Sequence, residues 1–127
     1  MAFGVAAGIA LAATQTAARQ AEPPVWAQLA ECSAVFSAAA GAEGYAGTAP
    51  DDLADAEAAA ARFLERAVEV AGAMGQVDPA ADVESIMVYL RPRWQNRADR
   101  LLSVRSNLDW IAHCGRLGRA EGVLPLP

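Results

Sequence analysis

The reading of "LADAEAAAARFLERAVEVAGAM", residues 53–74, decides the fold. Leu53, Ala56, Ala60, Phe63, Ala67, Val70 and Met74 recur along it at alternating intervals of three and four, the spacing of one helical face and of a heptad seam. Three of these seven positions are alanine, so a partner helix can approach closely there, while Phe63 and Met74 add bulk at intervals. Upstream, "TAPDD" reads as a helix start. Thr48 can cap, Pro50 suits the first turn, and Asp51 and Asp52 complement the positive end of the helix dipole.

The same period extends in both directions. Before the glycine-rich "GAEGYAG", Val25, Leu29, Cys32 and Phe36 share one helical face. After it, Gly72 and Gly75 weaken the seam helix, Asp78 and Pro79 begin another, and Val83, Ile86 or Met87, and Leu90 form its buried stripe. Pro92 marks a kink or a break. Beyond it, Trp94, Leu101 and Leu108 recur every seven residues, with Ala98, Val104, Ile111 and Ala112 beside them, and Gly115 or Gly118 offers a helix stop. Alternating strand patterns longer than a few residues are absent. The expected fold is all-α: residues 22–127 as a single domain, a small antiparallel bundle of three to four helices.

Alanine makes up a quarter of the 127 residues, so the core must combine a few large side chains with many small ones. Net charge is −5, and all ten basic residues are arginine. This balance argues against nucleic-acid binding. Acidic groups dominate from Glu22 to Glu84 and arginines from there to Glu121, which predicts that the acidic second helix lies against the basic last one with their rims paired.

The first residues hold no charge before Arg19, and their apolar run from Ala2 to Ala13 has the length of a secretory core. Thr16 and Ala18 fit a cleavage after Ala18. The expected reading of residues 1–18 is a signal segment, with retention as an uncleaved, membrane-proximal anchor as the alternative and a basic n-region missing from either. Export to the periplasm or beyond follows, and with it an oxidising compartment. Two cysteines, each on or beside the inward face of its helix, then predict a Cys32–Cys114 disulfide between the first and last helices.

Chemistry-bearing motifs are scarce. The single histidine, His113, falls opposite the seam of the last heptad and is expected to face solvent, turned away from Cys114. Without a second histidine or a C-x-x-C-H run, neither a metal site nor a haem is expected, and no cofactor is assigned. The familiar nucleophile, zinc and phosphate-loop signatures are likewise missing, so no catalytic residue is assigned and an enzyme is not expected. What remains is "RPRWQNRADR". Arg91, Arg93, Arg97 and Arg100 surround Trp94 there, as a docking surface for an acidic partner, a phosphate or a membrane headgroup.

Two functions follow from these features. The first is an accessory factor that binds another exported or membrane protein. The second is an acid- or stress-responsive periplasmic chaperone, in which discharge of the carboxylates loosens the shallow alanine seams. A homodimer through the 53–74 seam is a further expected association.

Overall fold

The computed structural model describes residues 22–41 and 50–127. Within them are four α-helices: α1 (Val25–Gly41), α2 (Pro50–Ala73), α3 (Pro79–Gln95) and α4 (Arg105–Ala120). A short 3-10 turn, Ala98–Arg100, lies between α3 and α4, and no strand is present among the described residues. The expected signal segment, the Thr48 cap and the Leu53 side chain lie outside what is described.

Helix α1 is central. Leu29, Ala30, Cys32, Ala34, Val35 and Ala38 are all buried, as are the polar Gln28 and Ser33, so more than one of its faces is covered. Its largest contact is with α2, followed by α3. Alanines on both helices let the backbones come close enough for Ser33 Oγ to donate to the Ala60 carbonyl at 2.7 Å. Phe36 and Phe63 then stack with centroids 5.3 Å apart and fill the wider part of the same interface.

The seam of α2 packs as its spacing predicts through Ala56, Ala60, Phe63 and Ala67, all buried, but Met74 is 54 % exposed and Ala71 is buried instead. The helix ends at Ala73, so Met74 lies past it in the turn that leads to the next helix, beyond the packed face. The expected homodimer would need the face at Ala60, Phe63 and Ala67 that α1 already covers.

Helix α3 starts as expected. Asp78 accepts from the Ala81 N–H at 3.3 Å, Pro79 takes the first turn, and Val83, Met87 and Leu90 are buried with Ile86 partly so. Pro92 neither breaks nor ends the helix, which runs on to Gln95. Proline clashes with the carbonyl four residues earlier, here Val88. Val88 and Pro92 both sit on the exposed face, so water can take up the freed carbonyl.

Continuity between Trp94 and Leu108 is the expectation that fails. The chain leaves helical geometry after Gln95 and re-enters at Arg105, so the seven-residue repeat spans two helices and a turn. Trp94 and Leu101 are buried, yet Leu108 is 40 % exposed. The inward face of α4 is instead Asn107, Trp110, Ile111, Cys114, Leu117 and Gly118.

Nor does α4 stop at Gly115 or Gly118. It ends at Ala120, two residues before Gly122, whose φ of +73° supplies the left-handed conformation usual after a helix C-terminus. Gly118 has a packing role: a Cβ there would lie 2.8 Å from Phe63 and 2.7 Å from Leu124, so only hydrogen fits.

Cys32 and Cys114 form a disulfide with Cα atoms 5.5 Å apart, both fully buried. It joins the central helix to α4 across 82 residues of sequence. In the chain-entropy picture a loop of that length contributes up to about 4.5 kcal/mol.

Candidate functional site

The four arginines expected to form a docking surface around Trp94 do not converge. Trp94 is fully buried, its Nε1 donates to Glu31 Oε1 at 3.1 Å, and the guanidinium of Arg97 lies 4.9 Å from its ring centroid. The indole is therefore a core side chain with a polar handle, covered from outside by a cation–π contact. Arg91 is taken up by Glu84 at 2.8 Å on the same helix. Arg100 donates to the Asn96 carbonyl at 3.4 Å and approaches Asp99, which helps satisfy the end of α3. Arg93, in the last turn of α3, is exposed and makes no ion pair among the described residues.

An exposed strip does lie on the outer face of α3. Ser85, Val88, Tyr89, Pro92 and Arg93 follow one another at helical spacing and are all exposed, Val88 by 67 % and Tyr89 by 61 %. Tyrosine takes the place that the sequence reading gave to Trp94. The signal was present: Tyr89 falls outside the Val83–Met87–Leu90 stripe.

Among the described residues the ion pairs are mostly local, not the expected pairing between the rims of α2 and α4. Arg66 binds Glu69 at 2.9 Å, Arg91 binds Glu84, and Arg105 approaches Asp109 at 3.9 Å, each within one helix. Among the described residues one ion pair joins α2 to the residue after α4, Arg66 to Glu121 at 3.4 Å, with the signs opposite to those expected. The hydrogen bond that Arg66 donates to Glu69 raises the Arg66 pKa, burial opposes it, and Glu121 adds to the rise.

A second feature, unforeseen in the sequence, is a cleft of about 280 Å³ between the start of α1 and α4, lined by Glu22, Pro23, Gln28, Asp109, Trp110 and His113. Gln28, buried in α1, organises it. Its Nε2 donates to the Pro23 carbonyl at 2.6 Å, fixing the segment that leads into the helix. Its Oε1 therefore faces His113, whose Nε2–H donates to it at 2.9 Å. His113 meets Trp110 edge to face at 5.6 Å, so it is partly buried and held on two sides instead of projecting into solvent. Counting the register from Cys114 would have found this, because Trp110 and His113, three apart, share a helical face.

No family model, curated protein or solved structure matches this chain. Among the described residues no group of histidine, cysteine and carboxylate side chains is placed to hold a metal ion, and no helix is long and apolar enough to cross a membrane.

Proposed function

We propose that this chain is an exported, periplasmic or secreted helical domain that acts by binding, as an accessory factor to another exported or membrane protein. The observation that carries the reading is the Val88–Tyr89–Arg93 strip on α3, where an aromatic, an aliphatic and an unpaired arginine share an exposed face. Tyrosine and arginine are enriched among the residues that dominate protein interfaces, and in a chain of net charge −5 this local cation is distinctive. A buried disulfide suits an oxidising compartment. The partner that fits is a protein with an acidic rim around an apolar pocket.

The chaperone reading draws less support. The carboxylates that acid would discharge pair mostly within their own helices and at the surface, where such pairs contribute little to holding helices together.

Crosslinking in cells that express the full chain, followed by recovery through a C-terminal tag, tests the proposal. A stoichiometric complex is expected from the native protein and is lost from Tyr89→Ala/Arg93→Glu, whose circular dichroism stays native. Recovery of the same complex from that variant, or of no complex from either, overturns it.

A further inference from the structure

From the chemistry of its lining, we infer that the cleft between the start of α1 and α4 binds a small organic cation, an ammonium group carried on an apolar body. Each of its surfaces matches one part of such a ligand. Pro23 and Trp110 supply apolar contact, and an indole attracts a cation through its ring quadrupole. Glu22 and Asp109 bring two carboxylates to the same opening from different elements, the segment before α1 and the second turn of α4.

His113 completes the acceptor set. Gln28 spends its amide N–H on Pro23, so its carbonyl oxygen takes the proton on His113 Nε2. In the neutral ring this leaves Nδ1 as an acceptor. Among the described residues lining the cleft no side chain carries a positive charge, and the Arg105–Asp109 pair is loose at 3.9 Å, with both side chains mostly in solvent at 91 % and 72 % exposure. The negative chain as a whole favours a cation further. The two carboxylates repel an anion, and a neutral apolar molecule would leave both of them unused.

The volume sets the size of the ligand. About 280 Å³ lies just below the usual range for drug-sized ligands, which suits a single ring with a short amine arm. Rigidity comes from the frame, because Gln28 is buried and both ends of its side chain are bonded, while the Cys32–Cys114 bridge ties α4 to α1 one residue from His113. The site is therefore formed before the ligand arrives.

The test uses the full chain with its disulfide intact and follows the Trp110 indole N–H and the His113 ring by NMR during titration with 2-phenylethylamine. A neutral isostere, 2-phenylethanol, and the anion phenylacetate serve as controls. Saturable shifts at Trp110 and His113 are expected with the amine in the millimolar range, with the alcohol at least about tenfold weaker and the anion silent. Glu22→Gln/Asp109→Asn should weaken amine binding about tenfold or more without changing the fold, whereas Tyr89→Ala should leave it unchanged, which separates this site from the α3 strip. Equal responses to amine and alcohol, unaltered affinity in the double variant, or no saturable shift with the amine overturns the inference.

Discussion

Trp94 and Trp110 meet edge to face with ring centroids 5.9 Å apart, yet the regions around them are put to different uses. Trp94, at the end of α3, is enclosed: Glu31 takes its N–H, Arg97 covers its outer face, and no surface is left for a ligand. Trp110, on the second turn of α4, is only partly buried and forms one wall of a cleft with His113 and two carboxylates. Arginines beside a tryptophan are therefore no guide to a docking surface. An arginine on an indole closes a site, whereas carboxylates beside one, of which Asp109 is only loosely paired with Arg105, would leave it open to the cation we infer.

The largest test of that contrast removes the bridge. Cys32→Ala/Cys114→Ala should lose up to about 4.5 kcal/mol in urea denaturation, because the unfolded chain regains the freedom of a long loop. Hydrogen exchange should place the loss first in α4 around Trp110, with the α1–α2 amides keeping their protection longer. Uniform loss across both regions would erase the distinction. Trp94→Ala comes next, at about 3–5 kcal/mol for a fully buried indole, against well under half of that for Trp110→Ala. Equal costs in thermal unfolding would mean that Trp110 is as much a core residue as Trp94.

Smaller effects sharpen the boundary between the regions. Gly118→Ala should cost about 1–3 kcal/mol, since the added methyl meets Phe63 and Leu124 below 3.0 Å. Arg97→Gln removes the cation from the Trp94 face and should cost about 0.5–1 kcal/mol in chemical denaturation, with no effect on amine binding in the cleft. A larger loss there would give Arg97 a role beyond covering the ring.

Much of this was legible in the sequence. Apolar spacing marked α1, α2 and α3 because each buries a stripe that repeats within one unbroken helix, and the pairing of the cysteines was legible because there are only two and Cys32 sits on such a stripe. The region after Pro92 was not legible for a local reason. Between Asn96 and Val104 the chain holds no glycine and no proline, only residues that tolerate a helix, and it leaves helical geometry there all the same. The one breaker in the neighbourhood, Pro92, lies a turn earlier, inside α3. A heptad counted from Trp94 consequently carried its register into α4 with an error, which put His113 in solvent and hid the cleft. Trp94 was legible as a seam residue, but not the bond that closes it off from a partner: Glu31, which takes its N–H, is 63 positions away, and helical periodicity has no reach over that distance.

Gly118 carries a consequence for how this chain can vary. Its missing side chain is the space that the Phe63 ring and Leu124 occupy, so these three positions form one unit of inheritance although they sit on α2, on α4 and in the C-terminal tail. A larger residue at 118 becomes acceptable only in company with a smaller one at 63 or 124. Among diverged copies of this chain, the three should therefore change together or not at all, and that pattern would identify the fold in a sequence where the cysteines had been lost.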